Sequence, residues 1–175
     1  MSISDDRVTF LYEDLDQNIW MGTTNGFCLL KWPESKQSSY AFERFHYQKQ
    51  TERTEPGTNY IAQILHDPQG NYWIGTYDGL FRYQKTNPDA DAGQKEAASF
   101  LSQQELIYPS AFIRSLALDQ RQVLWIASAK GLIEYLPQEG AYTLHELNPS
   151  KQSVEGEYIS FLHASKSGDL LIGTG

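Results

Sequence analysis

The sequence predicts an all-β fold, a partial β-propeller of about three and a half four-stranded antiparallel blades, and three observations carry the prediction. One segment recurs in register: NIWMGTTNGF around Trp20, NYWIGTYDGL around Trp73 and VLWIASAKGL around Trp125, with LLIGTG opening a fourth copy at Leu171. Val8, Ile61, Ile113 and Ile159 each stand twelve residues before these anchors, so thirteen residues align without a gap. The anchors are 53, 52 and 46 residues apart, a period that belongs to stacked supersecondary units.

Within the second unit, Ile61 to His66 is a mainly apolar run, ended by Asp67-Pro68-Gln69-Gly70-Asn71. Proline fixes φ and glycine permits φ > 0, so this pattern reads as a strand followed by a hairpin. Tyr72 to Thr76 is the next strand. Asp78-Gly79, matched by Asn25-Gly26 in the first unit, is the two-residue signal of a type I′ turn, which makes Leu80 to Tyr83 the third strand. A fourth is expected at Tyr40 to Gln48, Ala98 to Gln104 and Tyr142 to Asn148, each mixing aromatic or branched residues with polar ones. The polar segments before these, of unequal length, suit loops on an outer rim.

The first strand of each unit carries apolar residues on both faces: Phe10 and Tyr12 alternate with Leu11, and Ile159 and Phe161 with Leu162. One small sheet cannot bury two faces, but similar sheets arranged around an axis bury each against the next, with strand one innermost. The blades are expected at 8–57, 61–110 and 113–157, with an incomplete fourth at 159–175. Side chains alternate along a strand, so each Trp and the Gly two residues later share a face. That Gly is expected to leave room for a bulky neighbour from the adjoining blade. Ala127 and Ser128 replace Gly and Thr in the third unit, so packing there should differ slightly.

Composition excludes several function classes. The net charge is −8 over 175 residues and the fourteen basic residues are scattered, which disfavours nucleic acid and anionic membranes as partners. No apolar run approaches the ~18 residues of a membrane span, and Met1 to Arg7 lacks the apolar stretch of a secretion signal. Cys28 is the only cysteine, ruling out an internal disulfide or a cysteine cage. It shares its place in the repeat with Phe81 and Ile133 and reads as a core thiol.

Catalytic patterns such as H-E-x-x-H, G-x-S-x-G and a Walker loop are absent from the sequence, which points away from an enzyme. Asp89, Asp91 and Gly93 hint at a calcium loop, but Phe100 stands where an EF-hand needs its bidentate Glu. Glu13, Asp14 and Asp16 form an acidic cluster, yet Asp14 aligns with Asp67 and Asp119, six residues before each Trp, so a turn-stabilising role is expected. His46, His66, His145 and His163 occupy unrelated positions in the repeat. No metal site and no cofactor are expected.

The segment GNYWIGTYDGLFRY, with Asp67 upstream, closely resembles the two-component regulator propeller repeat. The resemblance covers most of Val8 to Gly175, with departures at Val123, Ala127, Lys130 and Leu171. It implies the periplasmic or otherwise extracytoplasmic sensor region of a bacterial histidine kinase or hybrid regulator, with glycan fragments as ligands in the best-known branch. A ~52-residue repeat gives fewer units than the about 4 to 8 blades of a closed ring. The chain is therefore expected to be a fragment whose ring is completed by further blades of a longer chain or by self-association.

In a four-strand meander, the start of strand one and the turn between strands two and three lie on one face, where propellers gather ligand loops. That face is expected to carry Asn59, Tyr60, Tyr77, Asp78, Arg114, Lys130, Glu157 and Tyr158, with Asn25 and Phe112 beside them. Rings with amides, carboxylates and an Arg suit a sugar, whose C–H faces stack while its hydroxyls need donors and acceptors. The function expected is non-catalytic ligand sensing. The alternatives are a protein–protein interaction scaffold and a propeller lyase, which would gather a His, an acidic residue and a metal on that face.

Overall fold

A computed structural model describes residues 3–31, 40–45, 59–85, 101–109, 112–145 and 158–175. Its described elements are all strands. β1 (Val8–Glu13), β2 (Ile19–Thr23), β3 (Gly26–Lys31) and β4 (Ala41–Phe45) form the first sheet. The second holds β5 (Ile61–His66), β6 (Asn71–Thr76), β7 (Gly79–Lys85) and β8 (Leu101–Tyr108), and the third β9 (Ser115–Leu118), β10 (Leu124–Ser128), β11 (Gly131–Leu136) and β12 (Ala141–His145). β13 (Ile159–Ala164) pairs with β14 (Leu170–Thr174) in a fourth. Neighbours are antiparallel and follow chain order, and β1, β5, β9 and β13 pack side by side. The chain is a partial β-propeller with its first strands innermost.

Two local expectations need correction. The fourth strand of the second unit, expected at Ala98 to Gln104, runs over Leu101–Tyr108, because Leu80 pairs with Tyr108 and that ring enters the core between blades two and three. In the other units it spans Ala41–Phe45 and Ala141–His145; residues 46–48 and 146–148 lie outside the described residues. The hairpin between strands two and three is not a type I′ turn. Thr76 pairs with Gly79 around Tyr77 and Asp78, and only the glycine has positive φ, at 137°. The Thr76 hydroxyl accepts from Asp78 N at 3.0 Å and donates to Gly79 O at 2.9 Å, fixing the turn through a side chain. Thr23 and Ser128 make the same pair of bonds, which is why Ser can replace Thr in the third unit.

Burial lies between blades. Trp20, Phe27, Phe45, Ile61, Tyr72 and Phe81 belong to the core that joins blades one and two, and Trp73, Leu80, Ile113, Leu124 and Ile133 to the core joining two and three. Trp20 and Trp73 are wholly buried, each worth about 3 kcal/mol of burial. The third core, Ala117, Ala127, Leu132, Ile159 and Leu162, is smaller, and Trp125 is only partly buried against it. Cys28, as expected, is a buried free thiol.

The repeated glycine does receive its neighbour. A Cβ on Gly22 would lie 3.0 Å from Ile61 Cγ2, and one on Gly75 would lie 2.8 Å from Ile113 Cγ2. The second strands of blades one and two thus each offer a hole to an isoleucine of the next blade, Ile61 at the start of β5 and Ile113 two residues before β9. Ile159 meets Ala127 instead and is still fully buried. Side-chain bonds tie the inner strands together: Thr9 Oγ1 donates to Ile61 O, Gln63 accepts from Leu116 N and donates to Leu116 O, and Ser115 Oγ accepts from Leu162 N.

The aspartate six residues before each Trp does more than shape its turn. Asp67 Oδ1 accepts from Gln69 N and Asn71 N at 3.0 and 2.8 Å, while Oδ2 accepts from Trp73 Nε1 at 2.8 Å. Asp14 repeats this with Asp16 N, Asn18 N and Trp20 Nε1, and Asp119 with Arg121 N, Val123 N and Trp125 Nε1. The carboxylate therefore fastens the bottom turn to the indole that fills the core. Burial alone would raise the pKa of Asp14, but bonds from Trp20, Tyr72 and Asn18 outweigh it and hold the carboxyl below its ordinary value. In the fourth blade both partners change together: Ser165 and Leu171 occupy these places, and Ser165 Oγ keeps only the turn bond, accepting from Asp169 N at 3.0 Å.

The glycine hole predicts a contrast that urea denaturation can read. Gly75→Ala pushes its methyl into a β-branched core residue of the next blade and should cost about 1–3 kcal/mol. Gly173→Ala, whose Cβ would meet only Phe161, Ser160 and Phe161 O of its own sheet, should cost clearly less. Equal losses would show that the hole does not set blade packing.

Candidate functional site

The start of each inner strand and the turn between strands two and three do share a face, because backbone bonds join them across blades. Gly26 N donates to Asn59 O at 2.8 Å, Phe112 N to Tyr77 O at 2.8 Å and Ile113 N to Thr76 O at 2.9 Å. The residues just before β5 and β9 are thereby laid against the turn of the preceding blade.

Side chains on this top face form a row across the blade junctions. Asn59 Nδ2 donates to Asn25 Oδ1 at 3.2 Å. The rings of Tyr60 and Tyr77 stack with centroids 4.1 Å apart and planes 15° from parallel, and Phe112 meets Tyr77 edge-on at 4.9 Å. Burial first, and then Tyr77, push the Tyr60 phenol up, so it is a neutral donor and acceptor at neutral pH. Arg114 lies over the Tyr158 ring, its guanidinium carbon 4.5 Å from the centroid.

Two features set the row apart. Asn59 Oδ1 and Arg114 Nη1 are shielded from solvent and have no hydrogen-bond partner among the described residues, which leaves an acceptor and a donor unused. Phe112 has φ of 62°, a left-handed conformation disfavoured by its Cβ, and its ring is nevertheless 45% exposed. Strain of this kind persists only where the surroundings enforce it, and such residues gather at ligand sites.

Most of the expected site residues are thus brought together: Asn59, Tyr60 and Tyr77, joined by Phe112, with Arg114 and Tyr158 one junction further on. Asp78 is half-buried in its turn, its N–H on Thr76, and Lys130 holds the equivalent turn position, exposed. Glu157 lies outside the described residues, as do His46 and the Asp89–Gly93 loop. On the opposite face, ligand atoms of Asp14, Asp16 and His66 fall within 4.8 Å of one another. Sequence gave no reason to expect this, because the four histidines share no repeat position and the juxtaposition needs one histidine from one unit and two carboxylates from another.

Comparison with known proteins fits this geometry. The family described as two component regulator propeller matches residues 55–78, which contain Asp67, Trp73 and the turn at Tyr77. The chain carries the two component regulator propeller repeat. A histidine kinase P4 from Formosa agariphila is 32% identical over 75 residues, covering 42% of this chain and 5% of that protein. The extracellular domain of a putative one component system from B. thetaiotaomicron superposes with a TM-score of 0.68 at 22% identity, covering 98% of this chain and 21% of that one. A catalytically inactive virginiamycin B lyase from Staphylococcus aureus, with quinupristin, gives a TM-score of 0.58 at 12% identity, over 98% of this chain and 50% of that one. The two structural likenesses share the propeller fold with this repeat, and the chain spans only a small part of the kinase and of the sensor domain.

Proposed function

We propose that this chain is part of the ligand-sensing propeller of an extracytoplasmic two-component signalling protein, and that it acts by binding and not by catalysis. The observation that carries the reading is the top-face row, in which stacked aromatic rings stand beside an unused amide oxygen and an unused guanidinium nitrogen. A saccharide is the ligand that suits this face: its C–H faces cover Tyr60, Tyr77 and Phe112, while its hydroxyls pair with the Asn59 amide and the Arg114 guanidinium. The repeat match and the kinase relative support the signalling role, and the extracellular sensor-domain neighbour supports the compartment. Among the described residues no histidine joins the row, which favours sensing over the lyase reading that the quinupristin complex raises.

Calorimetric titration with a panel of neutral and acidic oligosaccharides tests the reading. At least one should bind, and Tyr77→Ala should weaken it by about tenfold or more, as loss of a stacked ring implies, with the circular dichroism spectrum unchanged. A panel without binders, or a binder indifferent to Tyr77→Ala and Arg114→Gln, would overturn it.

The end faces support a second part of the proposal, that further blades or a second copy cover them. Val8 is the counterpart of Ile61 and Ile113, yet it is 45% exposed, and a Cβ on Gly173 would meet no residue of an adjoining blade. Knob and hole are both present, at opposite ends of the arc. Phe161, Leu171 and Ile172 add apolar surface at the second end. Sedimentation of this chain should therefore show concentration-dependent self-association that Val8→Asp weakens, whereas a monomer at all concentrations would contradict this part of the proposal.

A further inference from the structure

On the bottom face, at the junction of blades one and two, a buried imidazole meets two carboxylates. His66 closes β5 and is only 7% exposed, and neither ring nitrogen has a hydrogen-bond partner among the described residues. A buried polar pair left unused is costly, so the site invites an explanation. The ring is held in place: it stacks on Tyr72 at 4.2 Å with planes 2° apart, and its backbone N–H donates to Tyr12 Oη at 3.1 Å. A ring nitrogen and carboxylate oxygens of Asp14 and Asp16 lie within 4.8 Å of one another.

Asp14 is already engaged. Its Oδ2 accepts from Trp20 Nε1 and from the Tyr72 hydroxyl, the latter at 2.7 Å, and its Oδ1 accepts from the turn amides of Asp16 and Asn18. It contributes charge and fixes its neighbours. Asp16, two residues before Asn18 in the same turn, is exposed and brings a carboxylate oxygen within 4.8 Å of His66 and Asp14.

We propose that His66 and Asp16 bind a first-row divalent cation of the zinc type, with Asp14 supplying compensating charge behind them. One imidazole nitrogen with carboxylate oxygen suits zinc and its neighbours, and solvent completes the coordination. Calcium and magnesium are disfavoured, since both take oxygen donors and calcium takes six or more. The cation would pin the inner strand of blade two to the bottom turn of blade one, and so couple the two blades on the face opposite the aromatic row.

Zinc chloride titrated calorimetrically into the chain tests this directly. One zinc per chain is expected, with a Kd below about 100 µM, accompanied by a shift of the His66 ring resonances. His66→Phe keeps the stack on Tyr72 and should abolish binding. Asp16→Asn, at an exposed position, should weaken it about tenfold or more. A variant with His46, His145 and His163 changed to Asn should bind as before. Absence of binding at about 1 mM zinc, or full-strength binding in either the His66→Phe or the Asp16→Asn protein, would overturn the proposal.

Discussion

The bond from the indole N–H of Trp20, Trp73 and Trp125 to the aspartate six residues earlier is the constraint on which the blades depend. A Trp in a dry core needs a partner for its N–H, and a carboxylate in a tight turn needs donors for its oxygens. In Asp67 and Trp73 one contact answers both needs, and it fixes the turn between the first two strands at the same time. The fourth unit shows the pairing from the other side. Where Leu171 removes the indole, Ser165 stands in for the carboxylate and keeps only the turn bond.

With the indole anchored, the residue two positions later faces the next blade at a set depth. Gly22 and Gly75 accept Ile61 and Ile113 there, so blade spacing follows from a missing Cβ. The same register carries Phe112, just before Ile113, onto the turn of the preceding blade, where it reaches Tyr77, while Tyr60 stacks on Tyr77 within blade two because Ile61 pairs with Thr76. Top-face geometry is thus a consequence of bottom-face bonding. The repeat builds the platform, and the positions where its copies differ make the candidate surface.

What sequence revealed divides along physical lines. The blade architecture was legible because strand periodicity, turn residues and the repeat are local signals. The top-face row was legible in outline from meander topology, but its cross-blade contacts were not: the reach of Phe112 to Tyr77 depends on how closely adjacent blades approach. Gly79 marked a hairpin correctly, yet its turn type was misread because the Thr76 hydroxyl substitutes for backbone geometry. Gln17 and Gln122 have φ of 64°, the conformation that Gly70 adopts at the equivalent place, with no glycine to announce it. His66 was opaque because its carboxylate neighbours come from another blade, fifty residues away in the chain.

The central claim, that carboxylate and indole act as one unit, is tested most directly by a double-mutant cycle on Asp67→Ala and Trp73→Phe followed by urea unfolding. Phe removes the N–H donor together with part of the buried bicycle, and the packing loss, common to the single and double variants, cancels in the cycle. A coupling energy of about 1–2 kcal/mol is predicted, because after either change the other partner's bond is already lost. Additive losses, agreeing within about 0.3 kcal/mol, would contradict the account.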